Sequence, residues 1–255
     1  MTPLSGVMVS RIQLEICVDG LDGAQAAIDG GADRIELCSA LTLGGLTPSI
    51  GLASLVVPLA QAEGVRVQAM VRPRGGDFAY SPAERRTLMV EAAGLVAAGV
   101  DGLVFGAMDG AKLDDGLLAD FVATARAVRP DLTLTLHRAV DLLPDPVEAV
   151  DVAVRLGFDH ILTSGGSERA IDALPVLRGM VMRAGDRIGI LPGSGIRGDN
   201  ARRILTETGA TQLHASASME GDAPEPRVLA LGFASGPPRI TSVDAVRNLR
   251  KAIDG

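Results

Sequence analysis

Tryptophan is missing from this 255-residue chain, and tyrosine occurs once, as Tyr80. Aromatic residues make up only 2% of the sequence, so platforms for stacking bases or sugar rings have almost nothing to be built from. Two cysteines are too few for a disulfide framework, and both are expected as reduced thiols in a cytoplasmic protein. Positive charge is also short. The net charge is -7, and no basic patch suits a nucleic acid. No apolar run approaches the roughly eighteen residues that span a bilayer. Met1–Ser10 lacks a basic region followed by an apolar run, which argues against a signal peptide. Nucleic-acid, membrane and secreted roles are thereby set aside.

What the chain does have is hydrophobic residues at 47% and 31 glycines, the composition of an α/β protein with buried strands. Alternating patterns predict strands at Ile12–Val18, Asp33–Cys38, Val65–Val71, Gly102–Gly106, Leu132–His137, His160–Thr163, Arg187–Leu191 and Thr211–Ala215. Helical patterns separate them. Gly30-Gly31 suits a left-handed helix end, and Thr47-Pro48 reads as an N-cap with proline at the first helical position. Ser81-Pro82-Ala83-Glu84 is a capping box. Eight strand-helix units in about 250 residues predict a (β/α)8 TIM barrel. The chain reads as a single domain over residues 1–255, with residues 216–240 as an irregular segment before a final helix.

Strand parity then assigns faces. Helices must cover the apolar parity, so the polar parity points into the barrel. That puts Glu15, Glu36, Gln68, Thr133, Thr135, Gln212 and His214 inside. A buried polar group without a partner costs about 1–3 kcal/mol, so this many implies a connected network, water or a ligand. One reading is a self-satisfied structural network, with the carboxylates paired to Arg34 or Arg72. The other is an active site, because the polar residues continue to the strand C-termini where barrel sites lie.

Several groups could carry chemistry. His137 ends the fifth strand and suits general acid or base work, with Asp141 to orient it, unless it is a hydrogen-bonded core histidine. Glu15 and Glu36 complete that acid/base set. Arg72, Arg74 and Asp77 form a charged loop that either grips a carboxylate or phosphate or orders the rim by salt bridges. Gly193, Ser194 and Gly195, with Ser164 after strand six, are either anion-binding loops or tight turns. Arg138 and His214 join the ligand-binding candidates, whereas His160 opens strand six at the far end and reads as structural. Cys17 and Cys38 end adjacent strands at the same level. They could share a soft ion such as Cu(I), or be two small buried hydrophobes. No organic cofactor motif is present.

Longer segments now carry a resemblance. They are Glu15–Cys17, Gly31–Cys38, Gly44–Ser49, Arg72–Phe78, His137–Ala139 with Asp141, and Leu162–Gly165. In this order, over residues 12 to 216, they closely resemble the CutC family of copper homeostasis proteins. The resemblance implies a (β/α)8 barrel, a cytoplasmic location, a homodimer and Cu(I) binding, with Cys17 and Cys38 matching the cysteines proposed as ligands. The chain departs from the family at Val140, where many members have an aromatic, and after Ser216. There it reads Glu225-Pro226-Arg227-Val228-Leu229-Ala230 in place of a Met, an aromatic and an Arg-Asn. Two functions follow as expectations: copper homeostasis through Cu(I), or an enzyme doing acid/base chemistry on a small anionic metabolite.

Overall fold

A computed structural model of the protein describes residues 11–255. The Met1–Ser10 reading lies outside those residues. Eight strands form one parallel sheet: β1 (Gln13–Val18), β2 (Arg34–Leu37), β3 (Arg66–Met70), β4 (Gly102–Phe105), β5 (Thr133–Leu136), β6 (His160–Thr163), β7 (Gly189–Pro192) and β8 (Gln212–Ala215). β8 pairs with β1, and β7 and β8 lie side by side, so the sheet nearly closes into a barrel. Helices cover its outside: α1 (Leu21–Gly30), α2 (Ile50–Ala62), α3 (Pro82–Ala97), α4 (Asp115–Val128), α5 (Ala149–Leu156), α6 (Leu174–Ala184), α7 (Ala201–Thr208) and α8 (Val243–Asp254). No helix among the described residues is long and apolar enough to cross a membrane.

Local sequence explains most of the boundaries. Gly31 caps α1 with φ 92°, a conformation that costs glycine little. Ser81 and Glu84 form both halves of the capping box that starts α3. The start of α2 differs from expectation. Ser49, not Thr47, caps it, accepting from the Leu52 N–H at 3.1 Å. Thr47 is drawn away because its hydroxyl donates to Glu91 (2.7 Å) and accepts from the Arg72 N–H (2.9 Å). Residues 216–240 contain an antiparallel ribbon of Ser218–Glu220 with Arg239–Thr241, and a short helix at Pro226–Ala230.

The outward parity is the apolar core. Leu14, Ile16, Ile35, Leu37, Leu103, Phe105, Leu134 and Leu136 are fully buried beneath the helices. Each such side chain contributes about 1.5–3 kcal/mol by leaving water. α4 turns Leu117, Leu118, Phe121, Val122 and Ala125 inward, and Phe121 stacks on Phe105 at 4.2 Å.

The inward parity is polar, and it is layered. Register pairs such as Cys17 with Glu36, Glu36 with Gln68 and Thr135 with His160 fix the strands relative to one another. Strand tilt then raises each neighbour by about one residue, so alternate strands supply each layer. Arg34, His160 and Gln212 form the lowest polar layer and touch one another at 3.2–3.5 Å. Glu15, Gln68 and Thr135 come next, with Thr135 donating to Gln68 at 2.9 Å. Glu36 and His214 follow, 3.9 Å apart. Cys17, Met70 and His137 lie above them, and Cys38 and Ser164 stand at the rim.

Candidate functional site

The site is the C-terminal half of this interior, and its anchor is the Glu15 carboxylate. Glu15 pairs with the Arg34 guanidinium on one oxygen and with His214 Nδ1 at 2.8 Å on the other. All three side chains are buried. Burial works against the Glu15 charge, but Arg34 and His214 outweigh it and hold its pKa down to about 2. The same contact orients His214. With Nδ1 occupied by Glu15, Nε2 faces Glu36. Burial opposes the imidazolium, but Cys17, Glu36 and Glu15 together raise its pKa well above the ordinary value.

Glu36 is the second carboxylate. Burial raises its pKa, and the neighbouring Glu15 charge adds to the rise. Its Oε2 accepts from the Cys38 thiol at 3.5 Å, while Oε1 has no partner among the described residues. Cys17, Glu36 and His214 each present a donor atom, and these atoms all lie within 4.8 Å of one another. A thiol, an imidazole and a carboxylate are sufficient to hold a metal ion.

The two cysteines do not stand at one level, contrary to the strand-end reading. Cys17 is in register with Glu36, so Cys38, two residues further along β2, is displaced toward the rim. It lies outside the three-donor set and packs with Met70, Val104 and Leu41. Burial, together with Glu36 and Cys17, pushes its thiol pKa well up.

His137 occupies the opposite wall. Its Nδ1 accepts from the Ala139 N–H at 3.1 Å, Phe78 tilts over the ring at 4.7 Å, and Nε2 has no partner among the described residues. Burial and the Arg72 charge lower its pKa to about 3, so the ring is neutral. Gly106 makes room for it, because a Cβ there would collide with the imidazole. Asp141 does not orient this histidine. Its oxygens are taken by Thr163, by the backbone N–H groups of Ser164 (3.0 Å) and Gly166 (3.1 Å), and by Arg138 Nε (2.8 Å). It ties the end of β5 to the end of β6.

The contacts of the arginine loop match the rim-ordering reading. Arg72 donates from Nη1 to the carbonyls of Leu43 (2.8 Å) and Gly45 (3.1 Å), and from Nη2 to Gly76 (2.9 Å). Arg74 is held by Glu84, Asp77 and the Ala79 carbonyl. Both guanidiniums brace the rim, and Arg72 Nε is left without a partner among the described residues. Arg138 is half-exposed, bound to Asp141 and donating to Ser164 Oγ at 2.8 Å. Gly193, Ser194 and Gly195 form a tight turn with Ser194 at φ 78°. The Ser194 hydroxyl donates to the Glu168 carbonyl at 2.6 Å. Residues 196–200 separate this turn from α7, so it presents no helix start to an anion. A cavity of about 400 Å³ opens at the other end of the barrel, beside Arg11, Asp33 and Arg66, and contains none of these groups.

Glu15, Glu36, Cys17 and His214 are thus brought together, His137 faces them, and Asp141, Asp77, Arg72 and Arg74 are spent elsewhere. Sequence reasoning missed the central place of Arg34, which it weighed only as a partner in a structural network. The available signal was its inward parity on the same strand as Glu36.

The CutC family model matches residues 12–219. A family protein CutC of Sinorhizobium medicae is 43% identical over 248 residues, spanning 96% of this chain and 98% of the relative. The human copper homeostasis protein cutC homolog is 41% identical over 210 residues, or 82% of this chain and 74% of the relative. A crystal structure of copper homeostasis protein CutC from Streptococcus agalactiae is similar at TM-score 0.76 and 31% identity, covering 80% of this chain and 98% of that one.

Proposed function

The chain belongs to the CutC family, and on that premise we propose that it is a copper homeostasis protein that takes Cu(I) as cargo in the mouth of the barrel. The relatives named for copper homeostasis support the role. One observation carries the site: the donor atoms of Cys17, Glu36 and His214 lie within 4.8 Å of one another. Cu(I) is soft and favours thiolate and imidazole over carboxylate. Cys17 Sγ and His214 Nε2 are its first ligands, with Cys38 as the second thiol. Glu15 serves from behind by holding His214 Nδ1, which aims Nε2 at the ion. The protein acts in the cytoplasm, where thiols stay reduced, and as a homodimer.

Anaerobic Cu(I) titration against a chromophoric chelator tests this reading. The expected result is about one tightly held equivalent, lost in the Cys17→Ser/Cys38→Ser double variant. Unchanged affinity in that variant sinks the proposal. The enzymatic alternative retains Glu36 and His137, whose unpartnered atoms favour a ligand. Of the two arginines that made the metabolite anionic, Arg74 is ion-paired with Glu84 and Asp77, and Arg72 keeps only its Nε unpartnered among the described residues.

A further inference from the structure

Among the described residues, Glu36 and His137 in the barrel mouth carry polar atoms without a partner, with the unpartnered Nε of Arg72 at the same rim. Glu36 is 3% exposed and its Oε1 has no partner; His137 is 3% exposed and its Nε2 has none. Both belong to the inward parity. Glu36 stands on β2 and His137 just past β5, so they project from opposite walls, one layer apart. Leaving a buried polar atom unpaired costs about 1–3 kcal/mol. A leucine and a phenylalanine would fill the same space without that cost.

The chemistry each atom asks for is readable. The Ala139 N–H donates to His137 Nδ1, so the single ring proton of the neutral imidazole is on Nε2. Nε2–H therefore requires an acceptor oxygen. Glu36 Oε1 can accept from a hydroxyl, or donate to one when the carboxyl is protonated, so a hydroxyl suits it in either state. Arg34 is paired with Glu15, Arg72 with three backbone carbonyls, and Arg74 with Glu84 and Asp77. Arg34 and Arg74 are answered by carboxylates, whereas Arg72 meets only neutral carbonyls and keeps a buried Nε without a partner among the described residues, so the two hydrogen bonds rather than a charge define the ligand.

We propose that the barrel mouth binds a small hydroxycarbonyl compound, its carbonyl oxygen on His137 Nε2–H and its hydroxyl on Glu36 Oε1. The site shares Glu36 with the copper reading and differs from it at His137, which is no metal ligand there. A neutral imidazole donating to a carbonyl across from a carboxyl group is also an arrangement able to polarise that carbonyl.

The test uses the full-length apo protein and hydroxyacetone. Acetone, which lacks the hydroxyl, and 1-propanol, which lacks the carbonyl, are the comparison probes. Long-range proton–nitrogen NMR of labelled histidine reads the His137 ring directly. Hydroxyacetone is expected to shift the His137 Nε2 signal saturably, and each comparison probe to bind at least about 5-fold more weakly. His137→Phe, which keeps the ring and removes the donor, should abolish binding as followed on the Glu36 carboxyl signal. His137→Gln, which returns an N–H to about the same place, should restore part of it. The Cu(I) stoichiometry of His137→Phe should be that of the parent, so loss of one property is distinguishable from loss of the other. No saturable shift with hydroxyacetone, equal shifts with all three probes, or full binding by a folded His137→Phe variant would each overturn the proposal.

Discussion

Glu15 and His214, 199 residues apart in the chain, share a 2.8 Å hydrogen bond between the first and last strands of the barrel. That bond links the stability of the fold to the geometry of its mouth. Glu15 answers the buried Arg34 charge with one oxygen and sets the direction of His214 Nε2 with the other. A change at this carboxylate therefore acts on both.

Glu15→Gln should be costly. It leaves the Arg34 guanidinium, only 5% exposed, without a counter-charge. Removing one partner of a buried pair costs about 3–5 kcal/mol. Urea denaturation followed by far-UV circular dichroism gives the number. A loss below about 1 kcal/mol would mean that Gln212 and His160 solvate Arg34 without help.

Metal choice should depend on Cys38. Cys17, Glu36 and His214 alone make a mixed sulfur, nitrogen and oxygen set that suits Zn(II) as well as copper. The second thiol biases the site toward the softer ion. Cys38→Ser should weaken Cu(I) by about 10-fold or more while changing Zn(II) affinity by less than about 3-fold. Parallel chelator competitions with the two metals decide it, and equal losses would remove Cys38 from the selectivity argument.

Acid should destabilise the protein in two steps. His160, half-buried against Arg34, has its pKa lowered to about 4 by desolvation and that charge, and His137 is lowered to about 3. Both are neutral in the fold, whereas unfolded histidines take up protons near 6.5, so the unfolded state binds more protons between these values. Stability is complete above 6.5 and falls as pH drops toward 4 and then 3. Glu15 adds a second loss between its ordinary 4.5 and about 2, where its ion pair is protonated. His214 acts in the other direction. Its pKa is raised, so its contribution is present below 6.5 and lost as pH climbs through the raised value. Urea midpoints measured from pH 7 to 3 should fall, and His160→Gln should flatten the part between 6.5 and 4. A parent midpoint that stays level there contradicts the assignment.

Gly102→Ala should damage the barrel where Gly20→Ala does not. A Cβ at Gly102 runs into the Thr133 carbonyl of the neighbouring strand, which is backbone and cannot move aside cheaply. Overpacking of this kind costs about 1–3 kcal/mol. At Gly20 nothing lies within 4 Å and the backbone is extended, so a change within about 0.5 kcal/mol is expected. Thermal melts of the two variants side by side provide the comparison.

Much of this protein was legible as sequence. The eight strand-helix units, the capping box at Ser81 and the polar parity of Glu15, Glu36 and His214 follow from local periodicity and hydrogen-bonding chemistry. Those effects act over a few residues and survive any arrangement of the rest. What tertiary structure alone decided were register and competition for donors. The pairing of Cys17 with Glu36 moved Cys38 off the level of its partner thiol, which strand ends counted along the chain cannot reveal. Barrel closure made His214 a neighbour of Glu15. Arg74 and Asp141 have the side chains of a binding site, but backbone groups and neighbouring side chains had already claimed their hydrogen bonds. A side chain's chemistry is written in its sequence position, but whether that chemistry remains available depends on the groups folding brings within 3 Å of it.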